Sequence, residues 1–513
     1  MRLTPTVAIV ATVVAGGAAL RSRDLFEPWS GLHKAWGGAM YGNIARNLVR
    51  YDPRATGFAP LTNVGPLAAR EEFEYYYHYP PLLVSMVAAS YRVFGVHEGS
   101  ARLVPLAFSL LVMALVFAFA RRFWDVRVAV AALVLVSFLP VEVYYADHVD
   151  VYGPPVVFFS GLAVFAYARW YQDRRRGDLV LTVAALALGC LTAWYAYFVV
   201  PLLIGHALLV APRNRRPPLT VPALFVACAV LVFAGFLLHR RLLIGAGGSE
   251  VAGSLLEKFF LRSAWTDLAI PTPEGLIPVS LAGFVKHLGR DFVRLHGPMV
   301  LALVATWLVL VTRSALRRSL EDRDWFLLIL LGFGALHNLA FPKLMPGHDF
   351  MSRCFAPGFA VAAAVALVTI ARHVEQRFGA WSSRALVATT LAVATVSGAV
   401  LARQVPQGGV YGDGLQLWGT YVRESTTPET VVLVPGSLDR VLLYYVDRRM
   451  QGHVRTPDAL RQPAVNGQPR VFALTDREVE RYPDLVAALD TSAPHESWRG
   501  HRLYSLSGDG RSP

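Results

Sequence analysis

Charged residues are scarce in this sequence: they make up 17% of its 513 residues, whereas 54% are hydrophobic and the mean hydropathy is +0.42. A soluble chain of this length would not be so apolar, so the composition excludes an ordinary soluble multidomain protein. Apolar runs of about 17–22 residues recur along most of the chain, a length that crosses a bilayer as a helix. The sequence therefore predicts an all-α polytopic membrane protein.

Cysteines and glycine-rich phosphate loops are also scarce. Cys190, Cys228 and Cys354 lie in or beside apolar segments without metal-ligand spacing, which predicts no disulfide framework. The one Gly-rich loop, GAGGSE at 245–250, indicates a linker, and no convincing nucleotide motif is present. The net charge of +13 does not indicate a nucleic-acid partner, because the arginines form short clusters between apolar runs.

About eleven membrane spans are predicted from these runs. They cover residues 3–20, 101–120, 128–145, 154–171, 179–193, 195–211, 219–238, 297–312, 325–341, 355–371 and 385–402. If the spans alternate, the arginine clusters all lie on one side, and the positive-inside rule makes that side cytoplasmic. The clusters are at 2, 121–127, 174–176, 213–216, 313–318 and 372–384.

Three long segments are then predicted outside the cytoplasm: residues 21–100, 239–296 and 404–513. The first is too long for a connector and contains amphipathic helical patterns at 36–53 and 80–95. The last predicts a small α/β domain with strands at 430–436, 470–475 and 501–507 and helices at 437–450 and 476–490. We therefore predict a membrane domain at 1–403 and an extracytoplasmic domain at 404–513.

The first external loop resembles a known family. YGNIARNL, then HYPPLL, then GVHEGSARLVPLAFSLL are similar to GT-C membrane glycosyltransferases of the dolichyl-phosphate-mannose protein mannosyltransferase and lipid A aminoarabinose transferase type. The resemblance implies transfer of a hexosyl or pentosyl group from a polyprenyl-phosphate donor, outside the cytoplasm, with inversion. It implies a lipid, polysaccharide or protein acceptor and a bacterial-type inner membrane. Transfer of this kind needs a carboxylate base and cations that hold the departing phosphate.

Two aspartates between the third and fourth spans are the leading candidates for that carboxylate. In YYADHVDVYGPP (144–155), Asp147 and Asp150 correspond to the family's second acidic position, and Asp150 is preferred because Gly153 and two prolines follow it. The alternative is that both are solvated loop acids. We interpret His148, which lies between them, as an ordinary loop histidine rather than a ligand.

The first acidic position of the family is occupied by Gly37 and Gly38 in this chain. The nearest upstream acids are Asp24 and Glu27, and Glu27 is preferred. Further candidates, which a solvated run also explains, are Glu71, Glu72 and Glu74. The glycines leave open that the chain is a non-catalytic relative.

Four basic side chains are candidates for binding the donor phosphate: His78, just before the paired prolines, and Lys343, His348 and Arg353. His78 is also explained as part of an aromatic belt, and the others as residues that reach the lipid headgroups. The sequence leaves open whether Mg²⁺ or Mn²⁺ assists, since no ligand spacing decides it. A transporter or lipid flippase is the competing function, for which His206 and His337 are the main ionisable residues within spans.

Overall fold

A computed structural model describes residues 5–30, 32–52, 54–66, 72–244, 248–272, 275–404, 413–456 and 468–506. By their contacts, the residues of the chain divide into two compact units. Unit 1 comprises Met1–Leu25, Tyr77–Met86 and Arg102–Pro406, and unit 2 comprises Phe26–Tyr76, Val87–Ala101 and Gln407–Pro513. The last division falls between Pro406 and Gln407, and unit 2 also includes most of the first external loop. The predicted domains at 1–403 and 404–513 stay a prediction.

Apolar helices occupy every predicted span. They are α1 (Pro5–Arg21), α4 (Glu98–Phe123), α5 (Val126–Phe138), α6 (Pro140–Tyr144), α7 (Pro154–Asp173), α8 (Arg176–Thr192), α9 (Val199–Gly205), α10 (Thr220–Ile244), α13 (Pro298–Leu316), α14 (Asp322–Ala340) and α15 (Ala356–Gln404). Residues 194–198 and 206–210 extend α9 at either end as 3₁₀ and π turns.

Four helical segments of the described residues are long and apolar enough to cross a membrane: Glu98–Phe123, Thr220–Leu243, Pro298–Leu316 and Asp349–Arg403. The mostly helical fold predicted from the sequence is therefore confirmed, while the count of eleven spans stays a prediction. α15 includes two of the predicted spans, 355–371 and 385–402, and Gly379 lies between them. There φ is +85°, a left-handed value that a non-glycine side chain would oppose, and the helix direction breaks.

The predicted external loops of unit 1 contain short elements of their own. α11 (Gly248–Ser263) is followed by the antiparallel pair β1 (Ala269–Thr272) and β2 (Gly275–Pro278), and then by α12 (Leu281–His296). Ser280 caps α12, its hydroxyl accepting from the Gly283 N–H at 3.2 Å.

Unit 2 contains the two amphipathic helices that the first loop predicts. α2 (Leu32–Arg50) lies within this unit, and α3 (Leu82–Phe94) enters it at Val87. The C-terminal helix α17 (Arg440–Val446) packs on α2: Arg46 stacks over the Tyr444 ring at 4.2 Å and pairs with Asp447 at 3.1 Å. The loop helix α2 and the C-terminal α/β segment are therefore in direct contact within unit 2.

The C-terminal sheet has five strands in the order β4-β3-β5-β7-β6. The strands are β3 (Val431–Leu433), β4 (Arg449–Gln451), β5 (Arg470–Leu474), β6 (His495–Trp498) and β7 (His501–Ser505), and the remaining helices are α16 (Asp413–Glu424), α18 (Asp476–Arg481) and α19 (Pro483–Ser492). Alternate strand residues face opposite sides: Val432 packs with Trp418 of α16, and Leu433 with Leu485 of α19. Pro483 begins α19 and divides the single helix that we predict at 476–490.

Candidate functional site

The turn between α6 and α7 is buried, although the sequence allows it to be a solvated loop. Asp147, His148 and Asp150 expose 2%, 1% and 5% of their surface. Successive backbone hydrogen bonds fold the segment tightly, from His148 N–H to the Tyr145 carbonyl and from Gly153 N–H to the Asp150 carbonyl. The structure therefore brings two carboxyl groups into the interior of unit 1, where ionisation is unfavourable without partners.

Asp150 has the environment of a proton-transfer group. Its Oδ1 accepts a hydrogen bond from the Tyr152 N–H at 2.8 Å. Burial raises the pKa of this carboxyl from 3.8 to about 7, and the Tyr152 N–H opposes the rise. A carboxyl group with a pKa near the working pH both accepts and releases a proton readily.

Two tyrosine hydroxyls lie within electrostatic reach of Asp150. Tyr79 donates to the Tyr152 hydroxyl at 3.2 Å. Burial raises the pKa of Tyr79, and the positive charge of Arg262 opposes the rise. The two phenols and Arg262 are therefore connected by hydrogen bonds, and the charge of Asp150 acts on both phenols.

Asp147 belongs to a different group of side chains, which includes the first-loop residue Asp24. Arg102 Nε lies 3.5 Å from Asp147 Oδ2, and both side chains are buried. The same guanidinium donates to the Asp24 carbonyl oxygen at 2.9 Å. The carboxylates of Asp147 and Asp24 both interact electrostatically with the Tyr144 hydroxyl. Arg102 thus contacts the side chain of Asp147 from the second loop and the backbone of Asp24 from the first.

A third carboxylate, that of Asp349, also interacts electrostatically with the Tyr144 hydroxyl. This residue was not among the candidates predicted from the sequence. It accepts from the Tyr145 hydroxyl at 2.6 Å and pairs with Arg294 of α12 at 2.7 Å. A signal for it is its position in PGHDFMSR, a predicted external loop that also contains the candidate cations His348 and Arg353.

A cavity of about 670 Å³ opens beside Tyr79 and Tyr152. Most of its wall is apolar and comes from α10, α11 and the turn before α9. The wall includes Trp194, Tyr197, Phe198, Val230, Phe233, Leu237, Leu255, Phe259, Phe341 and Leu344. Its polar lining consists of His78, Lys258 and Arg262 with the two tyrosines. An apolar channel with basic groups on one part of its lining suits an anionic amphiphile.

The basic groups of this cavity come from segments far apart in the sequence. Lys258 Nζ contacts His78 Nε2, and Trp194 Nε1 donates to the His78 carbonyl at 3.2 Å. Burial lowers the pKa of Lys258, and the neighbouring charge of Arg262 lowers it further. Lys258 and Arg262 are four residues apart and so share one face of α11, a spacing that could have pointed to them in LLEKFFLRS.

The other predicted cations lie in different surroundings. Arg353 is buried and binds Glu142 through two hydrogen bonds of 2.9 Å, and it also contacts the Tyr145 carbonyl. His348 Nδ1 lies 2.9 Å from the Leu344 carbonyl oxygen. Lys343 is half-buried and stands between two cavity residues, Phe341 and Leu344. The structure therefore places His78 in the cavity, the segment of Lys343 at its wall, and Arg353 in a separate ion pair.

The remaining first-loop acids belong to unit 2. Glu27 is exposed, Glu72 pairs with Arg449 at 2.5 Å, and Glu74 is near the Thr62 hydroxyl. Glu71 lies outside the described residues. The glycine at position 38 also has a packing reason, because a Cβ there would overlap the indole of Trp29. Trp29 therefore fills the space in which the family's acidic side chain would begin.

The two histidines that a transporter would use are held by neighbouring side chains. His206 Nδ1 lies 2.8 Å from the Tyr167 hydroxyl, and His337 Nδ1 lies 3.1 Å from Asn338 Oδ1. His337 also stacks on Tyr195 with ring centroids 3.7 Å apart. The contacts with Tyr167 and Tyr195 match histidines that connect packed segments. As for metals, the described residues contain no group of three or more His, Cys, Asp or Glu side chains placed to hold an ion.

The chain is similar to known membrane glycosyltransferases in sequence and in fold. The family model of dolichyl-phosphate-mannose-protein mannosyltransferases matches residues 78–239. A comparison with curated protein sequences finds no match. Crystal structures of ArnT from Cupriavidus metallidurans are similar to the chain at 15% identity. The apo form has a TM-score of 0.62 over 99% of this chain and 100% of that one. The form bound to undecaprenyl phosphate scores 0.58 over 99% and 98%.

A third similar structure is the archaeal oligosaccharyltransferase AglB from Archaeoglobus fulgidus, in complex with an inhibitory peptide and a dolichol-phosphate. It has a TM-score of 0.58 at 15% identity and covers 99% of this chain and 75% of that one. At such identities the likeness shows the fold. The family and these structures are glycosyltransferases, and the predicted resemblance is confirmed: the chain has the fold of the GT-C membrane glycosyltransferases.

Proposed function

We propose that this chain transfers a sugar from a polyprenyl-phosphate-linked donor to an acceptor at the extracytoplasmic side of a bacterial-type inner membrane. The observation that carries the proposal is the cavity of unit 1, an apolar channel with the basic groups His78, Lys258 and Arg262 in its lining. Tyr152 also lines this cavity, and its N–H donates to the buried carboxyl group of Asp150. A similar structure, that of ArnT, is bound to undecaprenyl phosphate, and AglB is in complex with a dolichol-phosphate. Both ligands have the chemistry that such a cavity accepts.

The basic groups supply most of the selectivity for this donor. Moving a prenyl chain from the bilayer to the apolar wall gains little free energy, because lipid tails are as apolar as the wall. A hydrogen bond to a charged group contributes about 1.5–3 kcal/mol, and phosphate accepts several at once. Lys258 and Arg262, one helical turn apart on α11, are placed to bind the same phosphate.

The transfer itself is a single displacement, which accounts for inversion. A hydroxyl oxygen of the acceptor attacks the anomeric carbon, and its proton passes to a carboxylate. The bond between the anomeric carbon and the phosphate oxygen breaks, and the phosphate keeps the electron pair. Lys258 and Arg262 stabilise the charge that develops on the leaving phosphate.

Asp150 is our first choice for the carboxylate, because it accepts the N–H of Tyr152, whose side chain lines the cavity together with that of Tyr79. Asp147, with Asp24, is the second choice and orients the acceptor in our account. The acceptor is a lipid, a polysaccharide or a protein, and the transferred group is a hexose or a pentose.

A transfer assay with matched variants tests the proposal. Purified protein in nanodiscs is given a panel of labelled polyprenyl-phosphate hexoses and pentoses with an envelope extract, and release of the polyprenyl phosphate is measured. Loss of one charge-assisted contact at about 1.5–3 kcal/mol corresponds to a ten- to hundredfold loss of donor affinity in Lys258→Ala and in Arg262→Ala. Lys286→Ala and Arg290→Ala are the controls, since these exposed residues have the same four-residue spacing on α12.

Equal losses in the α11 and α12 variants would contradict the donor site. Absence of transfer with every donor, together with translocation of the lipid across proteoliposomes, would favour a flippase instead.

A further inference from the structure

A second groove of unit 1 lies among α1, α5 and the two halves of α15, with a volume of about 450 Å³. Its walls are apolar, and the side chains that matter here are Ile9, Val130, Val368, Val387 and Leu391. Three arginines and one glutamate line its polar part: Arg127, Arg372, Arg384 and Glu375. None of these residues contributes to the cavity described above.

The break in α15 separates the two walls that this helix contributes. Val368 and Arg372 precede Gly379, whereas Arg384 and Val387 follow it. The left-handed φ of Gly379 turns the chain between them, and no other atom lies within 4 Å of the place where a Cβ would be.

The charges at the groove are unbalanced. Arg372 pairs with Asp125 at 2.5 Å, and Arg127 stands 4.0 Å from Glu375. Three arginines thus face two carboxylates, which leaves one positive charge in excess. Arg384 is exposed, and within the part of the chain that the structure describes no carboxylate pairs with it.

We propose that this groove binds an anionic phospholipid, with an acyl chain between the halves of α15 and the phosphate on Arg384 and Arg127. The charge supports this occupant, because a basic pocket between membrane helices on the cytoplasmic side matches an anionic headgroup. The three arginines belong to the clusters that predict the cytoplasmic side. The site is therefore distinct from the donor cavity, which the same topology predicts at the external side, and it does not depend on the proposed transfer.

The headgroup rather than the acyl chain must give the selectivity. The apolar wall accepts any acyl chain about equally, since all lipid tails are similarly apolar. A phosphatidylglycerol headgroup has a net negative charge, whereas phosphatidylcholine is neutral overall. Loss of a charge-assisted contact to the guanidinium of Arg384 corresponds to about a tenfold loss of affinity at least.

Native mass spectrometry of the delipidated full-length protein, titrated with phosphatidylglycerol or phosphatidylcholine, tests this site. We expect the wild type to retain one phosphatidylglycerol at least tenfold more tightly than phosphatidylcholine. Arg384→Ala should lose this preference, and Arg377→Ala should keep it, because Arg377 is exposed on the same helix and lies outside the groove. Ala388→Phe should also weaken binding, since Ala388 lines the wall and the change leaves the charge intact.

Equal affinity for the two lipids in the wild type, or equal behaviour of Arg384→Ala and Arg377→Ala, would overturn the proposal. Displacement of phosphatidylglycerol by equimolar undecaprenyl phosphate in the wild type would overturn it as well, because the groove would then be a donor site. Transfer by Arg384→Ala, measured as above with saturating donor, should remain at the wild-type level.

Discussion

Replacing Asp150 by asparagine should inactivate the protein and stabilise it at the same time. The amide has the same shape, and its oxygen still accepts the Tyr152 N–H, so the turn keeps its hydrogen bond. Burial raises the pKa of the Asp150 carboxyl from 3.8 to about 7. This rise of about three units, at about 1.36 kcal/mol per unit, makes the ionised carboxyl about 4 kcal/mol less favourable in the folded state than in the unfolded one.

The sign of the pH dependence follows from the direction of that shift. A pKa raised in the folded state means that the folded protein binds more protons between pH 4 and 7, so stability falls as the pH rises through this window. The asparagine variant has no proton to lose. Its melting temperature should equal that of the wild type near pH 4 and exceed it increasingly up to about pH 8. At pH 8 its free energy of unfolding should exceed that of the wild type by up to about 4 kcal/mol.

Activity should change in the opposite direction. Transfer by the wild type should rise about tenfold per pH unit below pH 7 and level off above it, because only the ionised carboxyl accepts the proton. Transfer by Asp150→Asn should be lower by about 10²-fold or more and should not follow this titration. Asp484→Asn, at an exposed position of α19, controls for the substitution itself.

Transfer by Asp150→Asn at the wild-type rate would refute the catalytic role of Asp150. Equal melting temperatures at pH 8 would refute the argument from burial, whatever the activity.

Two further predictions concern residues that hold the site rather than react. Arg353→Met should lower the free energy of unfolding by about 3–5 kcal/mol, because Glu142 is then left as a buried carboxylate whose nearest cation is Arg21 at 3.9 Å. Thermal unfolding measures the loss, and adding Glu142→Gln should recover part of it. No recovery would show that the ion pair is not the cause. Gly38→Asp supplies an acid at the family's first acidic position. It should reduce the folding yield and the melting temperature without raising transfer, because Trp29 occupies that space. A folded variant with increased transfer would show that this chain lacks the first acid and that no other residue takes its place.

Local patterns were sufficient to predict most elements of the fold. Hydropathy over windows of helical length predicts the regions in which α4, α10 and α13 form. The amphipathic pattern of the first loop likewise predicts α2 and α3. β6 was not predicted, because its residues His495–Trp498 are mostly exposed and polar and it forms by pairing with β7. β4 was not predicted either, because the helix predicted at 437–450 ends earlier, at Val446.

The site was harder to predict, because its contacts join distant segments. Asp147 and Asp150 could be selected from one short turn through the resemblance, which left open whether they are solvated or buried. Lys258, by contrast, meets His78 from 180 residues away, and no local pattern pairs these two residues. Glu142 is hidden in the same way: it lies within a predicted span, and only the fold brings Arg353 to it.

The most direct test of the central claim is an electron cryomicroscopy map of the full chain in nanodiscs with a bound polyprenyl-phosphate sugar. Our account predicts the prenyl chain along Phe233 and Leu237, the phosphate within hydrogen-bonding distance of Lys258 and Arg262, and the Asp150 carboxyl facing the anomeric carbon. A phosphate bound away from α11, or a sugar that meets neither Asp150 nor Asp147, would contradict it.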